Sequence, residues 1–445
     1  MCLVSGVNVL EVHSRMEIFN NMNLSQKIID IAEPLRGVLT KIIPMQVLRD
    51  VKDYLIDKSL SKQLKKCSLK PYEAGHYKQG INLIGGIRSE IGLGQSCRLL
   101  ANEIDHTGIP YTIKDFMMDG NLRAGDHSWD RKISDDLKYD INIMHIEPLD
   151  LAFGFGELGQ ATWDYRYNIA FWLWELEEFP ENWKKSIKLV DEIWTPSEFT
   201  SNCIRKVTDK PVYTIPYCVT APTDDKYDRK YFGLPEDKFL FLAMYDTNST
   251  IARKNPIGAI RAFQKAFAPD DTSVGLVLKM NNPTEQDKKV LTELLGDYKN
   301  IYYITEVMDK VVVNSLIKTV DAFISLHRAE GFGLVMAEAM LNGTPCIATN
   351  WSSNTEFMNE GVACMVDYEF TVLEKTMEPY KKGARWADAN IDTAAKYMRK
   401  LVEDKEYYNK LSVDGKRYIE AKLGLEAAVE KINDRIKEIR SGFLA

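Results

Sequence analysis

Apolar and polar positions along the chain fall into two alternating textures. Short apolar runs ending in loop residues read as buried strands, and stretches with apolar residues three or four apart read as amphipathic helices. From residue 80 the strand-like runs are GINLIGG, PYTIKDF, DINIMHIEP and YNIAFWLWELE, with the helical GQSCRLLANEIDHTG after the first. Helix-like PENWKKSIKLV then precedes the strand EIWTPS, and helix-like EFTSNCIRKVTD precedes PVYTIPYCV. Such alternation predicts parallel crossover units in a doubly wound sheet. Residues 220–238, rich in Pro and charge, break the pattern and read as a linker. A second alternation follows through FLFLAMYD, NPIGAIRAFQKAF, VGLVLKM, NIYYITE, VDAFISL, GLVMAEAMLNG and TPCIATN. RWADANIDTAAKYMRKL and LEAAVEKINDRIKEI read as closing helices.

The expected fold class is therefore α/β, with two Rossmann-like halves, each a doubly wound parallel sheet. The pattern divides the chain into a first domain over 76–220, a linker over 221–236, a second domain over 237–424 and a terminal helix over 425–445. Ligands bind such sheets beyond the strand C-termini, so the opposed loop rims of two such domains frame one central cleft.

Residues 1–75 form a helical N-terminal extension, with apolar residues at helical spacing broken near Pro34 and Pro44. Its end is basic, with Lys58, Lys62, Lys65, Lys66 and Lys70. Two readings stand for it: a solvated lysine face packed on the body, or attachment to an anionic membrane surface. A length of 445 residues exceeds one ordinary core, and 45% apolar with 27% charged residues matches a globular chain. The net charge of −7 argues against a nucleic-acid partner. The seven cysteines are scattered without a C-x-x-C pair, which points to a reduced, cytoplasmic setting. No D-x-D triplet and no H-x-x-x-H spacing occurs, so no metal site is expected from local motifs. The opening MCLVSGVNVLEVHSR lacks the basic start and long apolar core of a secretory signal, and no run is long enough for a spanning helix. The expected location is cytoplasmic, peripheral on the inner face of the plasma membrane if the basic extension binds lipid.

Chemistry concentrates in SLHRAEGFGLVMAEAMLNGTP, residues 325–345. A strand ends there, a helix follows, and His327, Arg328, Glu330 and the turn Gly331-Phe332-Gly333 lie between them. Glycines at a strand-to-helix turn let backbone N–H groups approach a ligand, and a helix N-terminus favours an anion. Glu330 would repel a bare phosphate, so sugar hydroxyls are its natural partner, since a carboxylate accepts two hydrogen bonds from a diol. Glu338, in the helix, suits a ribose diol in the same way. An anion site flanked by two diol sites is the outline of a sugar nucleotide.

Glu330 and Glu338 in EGFGLVMAE match the E-x7-E signature of retaining glycosyltransferases with the GT-B fold. In motif order, GLGQSCRLLANEI, WELEEFPENW, DEIWTPSEFT, RKNPIGAIRAFQKAF, SLHRAEGFGL, NTEFM and RWADAN resemble family 4 of that group, especially bacterial polysaccharide mannosyl- and rhamnosyltransferase-like members. The resemblance spans residues 80–440. It implies a metal-independent hexosyl transfer from a nucleotide diphosphate sugar to a hydroxyl of a glycan, lipid-linked or protein-linked acceptor, with retained configuration and no cofactor. It also implies that Glu330 holds the transferred sugar beside the amides of Gly331, Phe332 and Gly333, that Glu338 binds the ribose, and that the terminal helix returns to the first domain.

In YDTNSTIARKNPIGAI, Arg253 and Lys254 follow a strand and precede a helix begun by Pro256. Two cations at a strand C-terminus suit a diphosphate leaving group, in place of a divalent metal; the competing reading is a solvated basic loop. Lys279 ends the next strand and is a candidate for the same pocket. Gly94, at the start of the first helix, faces the donor phosphate in the resembled family; G-x-G-x-x-G fails here because its third position is Cys97. His145 and Glu175 close two strands of the first domain. The family's histidine has no counterpart in Trp174-Glu175, so His145 stands as either an ordinary strand-end residue or a donor-sugar contact, and Glu175 as either an acceptor-side carboxylate or part of a solvated rim. Ser353, Asn354 and Thr355 are expected to offer amides to the diphosphate, with Glu356 as an acid at the start of the helix there. The rival functions are a non-catalytic GT-B subunit that binds a glycan or partner, and a GT-B epimerase or phosphorylase.

Overall fold

The computed structural model describes residues 68–118, 123–247, 250–377 and 379–442, with scattered positions between 43 and 62. The expectation of an N-terminal helical extension with a basic end falls largely outside the described residues.

The first sheet consists of β1 (Lys78–Gly85), β2 (Tyr111–Asp115), β3 (Tyr139–His145), β4 (Tyr167–Phe171), β5 (Glu192–Thr195) and β6 (Val212–Thr214), in the order β2-β1-β3-β4-β5-β6. The second consists of β7 (Phe239–Asp246), β8 (Val274–Asn281), β9 (Ile301–Ile304), β10 (Ala322–Ser325), β11 (Cys346–Thr349) and β12 (Cys364–Val366), in the order β12-β11-β10-β7-β8-β9. Every pairing within these two sheets is parallel. Strands covered on both faces should be apolar throughout, and Ile81, Leu83, Ile143, Leu242, Leu276 and Phe323 are indeed all buried. The doubly wound α/β architecture read from the alternation is the one observed.

Three local features differ from the sequence reading. PENWKKSIKLV is a 3-10 helix, Glu181–Leu189, and its buried Trp183, Ser186 and Leu189 fall three apart, the spacing of a three-residue turn. PLDLAFGFGEL, which carries no helical pattern of its own, forms the helix Pro148–Leu158. RWADA is not the start of a helix: Arg385–Ala389 is a strand, β14, paired antiparallel with β13 (Tyr368–Val372) in a hairpin outside both sheets, and the helix begins at Ile391. A short run with two neighbouring apolar residues fits either period, and here strand pairing decides it.

The domains are stitched at two levels. The terminal helix Leu425–Gly442 lies on the first domain, where Arg435 hydrogen-bonds the fully buried Glu192 at 2.9 Å and covers the Tyr213 ring at 4.1 Å. The crossing segment is held where Val219 N–H donates to Leu423 O (3.2 Å) and Cys218 N–H to Glu103 Oε1 (2.6 Å). Burial pushes the Glu103 carboxyl up to about 8. Among the described residues no helix is long and apolar enough to cross a membrane.

Candidate active site

In each sheet the strand order reverses beside its first strand, leaving a crevice between β1 and β3 in the first domain and between β7 and β10 in the second. Ligands of doubly wound sheets bind at such reversals. Loops leaving β7 and β10 therefore meet by topology, and they carry Arg253-Lys254 and Glu330.

Local structure fixes both loops. The turn Ile251–Lys254 ends at Asn255, which adopts a left-handed conformation (φ 51°), an arrangement asparagine tolerates. Asn255 caps the helix Pro256–Ala266 by accepting from Gly258 N–H and donates to Leu326 O at 2.9 Å, so the two loops are tied through one side chain. Arg328 N–H donates to Arg253 O at 2.7 Å, and the Arg328 guanidinium reaches Ala252 O (2.6 Å) and Asp388 (2.8 Å).

On this scaffold Lys254 Nζ meets Glu330 Oε1 at 2.5 Å, and Arg253 Nη1 lies 3.2 Å from the same oxygen. Arg253 Nη1 also donates to Ala329 O (2.8 Å), while Nη2 stands 3.7 Å from Glu175 Oε1 of the first domain. Burial alone would raise the Glu330 carboxyl, but Lys254 and Arg253 outweigh it and bring it down to about 2. Burial likewise opposes the Arg253 charge, and Glu330 with Glu175 more than restores it. Arg253 is buried, whereas the Lys254 side chain keeps 28% exposure, so the lysine is the cation that faces the solvent.

Behind Glu330 stands a rigid brace. Ser352, at φ 74°, accepts from Glu330 N–H at 2.9 Å, and Ser353 Oγ donates to Glu330 O at 2.5 Å. His327, fully buried and lowered in pKa by burial, has Nε2 3.0 Å from Asn354 Oδ1 and 3.3 Å from Trp351 O. Asn354 donates to Thr349 O and Thr355 to Ser352 O. Ser352 and Ser353 thus hold the Glu330 backbone, and His327, Asn354 and Thr355 tie together the loop behind it. Arg328 points away, to the hairpin base. Glu356 lies in the single turn of its own short helix, Ser353–Glu356, but its carboxylate accepts from Glu198 N–H (2.9 Å) and Phe199 N–H (2.8 Å), capping the first-domain helix Glu198–Arg205 across the seam.

The turn Gly331-Phe332-Gly333 also serves the seam. A Cβ on Gly331 would stand 3.2 Å from Trp174 O, and Gly331 O accepts from Ser197 Oγ at 2.9 Å. Gly333 takes φ 94°, a value that favours glycine, to start the helix Leu334–Leu341. In that helix Glu338 is 1% exposed and ion-paired to Lys310, with burial pushing its carboxyl up. Lys279 is buried two strands from β10, bonded to Asn281 with Glu306 and Asp246 as its charged neighbours, and does not join Arg253 and Lys254.

The first-domain crevice is built differently. His145 is 1% exposed, stacks on Phe171 (5.2 Å) and has Nε2 2.5 Å from Ser96 Oγ, which in turn bonds the Tyr217 hydroxyl. Burial pushes its imidazole down to about 4, so it is neutral at pH 7. A Cβ on Gly94 would come within 2.1 Å of Ser89 O, so this glycine permits close helix–loop packing. The sequence alone singles out neither Ser352, Lys310, Tyr217 nor Tyr380, which lies beside Glu175 and Arg253. Two cavities, of about 420 and 520 Å³, lie around Ala252, Arg328 and Asp388, and neither is lined by Lys254 or Glu330. Among the described residues no group of three or more His, Cys, Asp or Glu side chains is placed to hold a metal ion.

This geometry can be compared with known proteins. Residues 225–418 match the family model of glycosyl transferases group 1. No curated protein matches the chain. Sucrose-phosphate synthase from Thermosynechococcus elongatus is similar at a TM-score of 0.60 and 13% identity, over 82% of this chain and 100% of that one. HepE from Anabaena, in complex with UDP and glucose, gives 0.58 and 13% over the same shares of the two chains. TarM from S. aureus, in complex with fondaparinux, alpha-GlcNAc-glycerol and UDP, gives 0.51 and 12%, over 70% of this chain and 57% of its own. At such identities the likeness is one of fold. The chain therefore has the GT-B fold, and its residues 225–418 are similar to glycosyl transferases group 1.

Proposed function

We propose that the protein is a retaining, metal-independent glycosyltransferase that moves a hexose from a nucleotide diphosphate sugar to an acceptor hydroxyl on a glycan, a lipid-linked or a protein-linked substrate. The observation that carries this reading is the convergence of Arg253, Lys254 and Glu330 at the β7/β10 reversal, with Lys254 open to solvent. Two cations there neutralise a departing diphosphate without a metal, and they are already oriented, so little reorganisation is spent as charge grows. Glu330 is ionised across the working pH range and accepts hydrogen bonds from sugar hydroxyls once the donor displaces Lys254. Glu338 takes the ribose diol, exchanging Lys310 for it. Glu175 stands on the acceptor side of the seam. Retention, drawn from the E-x7-E resemblance to family 4, has the departing phosphate oxygen accept the acceptor's proton on the face it leaves, through an oxocarbenium-like state. The complexes of HepE with UDP-glucose and of TarM with UDP favour a uridine diphosphate donor. Free cysteines at 97, 203, 218, 346 and 364 fit a reducing, cytoplasmic setting, with the basic end of residues 1–75 as the attachment to anionic lipid.

Nucleotide release from a panel of sugar nucleotides, with and without EDTA, tests this. Release from one donor that survives EDTA and disappears in Lys254→Ala is expected. Wild-type silence with every donor and with glycan acceptors present would leave the fold as a binding subunit, the alternative reading.

A further inference from the structure

The seam between the domains is closed by a hairpin that neither sheet needs. β13 and β14 stand outside both six-stranded sheets, and the tip beyond them folds back through a pair of Met377–Tyr380 backbone hydrogen bonds of 2.8 Å. That tip sets the Tyr380 ring 5.5 Å from Trp174 of the first domain and 5.7 Å from Trp386 of β14. Leu373, Tyr380 and Trp386 thereby join the buried cluster of Trp172, Trp174, Phe179 and Trp183, so a second-domain arm is seated in a first-domain core. Where the strands run into that tip, Arg385 pairs with Glu177 of the first domain, giving the arm a second attachment. Tyr380 is 3% exposed and lies among Glu175, Arg253 and Glu330. Burial keeps the phenol protonated far above its ordinary range, so toward a carboxylate it can only donate.

We propose that Tyr380 is a positioning residue: its hydroxyl fixes Glu175 of the first domain against Arg253, so that closing the cleft and arranging the Arg253–Lys254–Glu330 cluster are one event. The inference rests on reading that cluster as the donor site. The physical need is plain from the distances. Arg253 Nη2 stands 3.7 Å from Glu175 Oε1, beyond a good hydrogen bond, and Glu175 keeps 24% exposure. A carboxylate so placed swings into water unless a second donor holds it. Tyr380 is that donor, and the tryptophans on either side allow its ring little freedom.

Tyr380→Phe removes one oxygen and keeps the ring packing. Nucleotide release is compared among wild type, Tyr380→Phe, Glu175→Gln and the double variant, on the donor that wild type uses. The expected result is a kcat about tenfold lower in Tyr380→Phe, a donor KM changed by less than about twofold, and a double variant no slower than Glu175→Gln alone. A purely structural tyrosine would leave kcat in place or give additive losses, and either result overturns the proposal. Should wild type turn over no donor, the functional reading fails separately, and spin labels at the exposed positions Asp209 and Lys289, one in each domain, decide the matter. A broadened distance distribution in Tyr380→Phe supports the clasp, and an unchanged one overturns it.

Discussion

The two domains present the same topological feature, a crevice where strand order reverses, and fill it with opposite chemistry. Between β7 and β10, Arg253, Lys254 and Glu330 form an ionised cluster with one cation reaching solvent. Between β1 and β3, His145, Ser96 and Tyr217 form a neutral chain that solvent does not reach, and Gly94 lets a helix close down on the loop. The chain of contacts from His145 through Tyr217 ends on Phe332, 4.9 Å ring to ring, so the neutral crevice supports the turn beside Glu330. A reversal supplies a place for a ligand, and the side chains at its mouth decide whether the place is used. One crevice gathers charge at its mouth; the other is filled by neutral, buried contacts.

The comparison breaks most sharply if the charged crevice proves dispensable. Lys254→Ala should raise the barrier to nucleotide release by about 3 kcal/mol, a loss of roughly a hundredfold or more in kcat, by the measure of other preorganised charge donors. The substitution removes the more exposed cation and leaves Arg253 to hold Glu330, so the melting temperature should move little. A rate close to wild type would show that the diphosphate lies elsewhere, and the distinction between the crevices would go with it.

The neutral crevice should answer in stability instead. Gly94→Ala puts a methyl 2.1 Å from the Ser89 carbonyl oxygen, a backbone atom with no rotamer to yield. Accommodating it should cost about 1–3 kcal/mol, the usual range for overpacking. Urea unfolding should record that loss while nucleotide affinity, measured by calorimetry, stays within about twofold of wild type, a change of well under 1 kcal/mol. A large loss of affinity with unaltered stability would place Gly94 at a ligand rather than at a packing contact.

How much of this was legible beforehand depends on how far each contact reaches along the chain. Arg253, Lys254 and Glu330 could be found because each follows an apolar run, and a doubly wound sheet brings such loop ends together without any knowledge of side-chain contacts. Glu356 ends the short 3-10 helix Ser353–Glu356, yet its carboxylate caps a helix 158 residues earlier, since sequence says which residues can cap and not which helix is in reach. Ser352 gives no signal in the sequence because its role requires φ 74° in a residue that rarely adopts it. Tyr380 is illegible for a different reason: the hairpin that carries it has no period linking it to either sheet. Its neighbours Trp174 and Glu175 lie some two hundred residues away and meet it only across the seam between the domains. The framework and the charged residues on it were thus readable, while the groups that cross the seam were not.

The smallest effect sharpens the comparison most directly, because it asks whether solvent protons reach the neutral crevice. His145 holds a folded-state pKa of about 4 against an ordinary 6.5, the result of burial. A base depressed in this way contributes stability that is present above pH 6.5 and is lost as pH falls toward 4, because the unfolded chain takes up the proton first. Between pH 6.5 and 5.5 the wild type should therefore lose about 1 kcal/mol on account of this one residue. His145→Phe keeps a ring on Phe171, leaves Ser96 to Tyr217 and removes the titration, so its stability should fall by that much less over the same interval. Contributions from every other group are common to the two proteins and cancel in the difference of urea midpoints. Equal losses would mean that His145 charges as readily folded as unfolded, that water enters between β1 and β3, and that the first-domain crevice is open to a ligand after all.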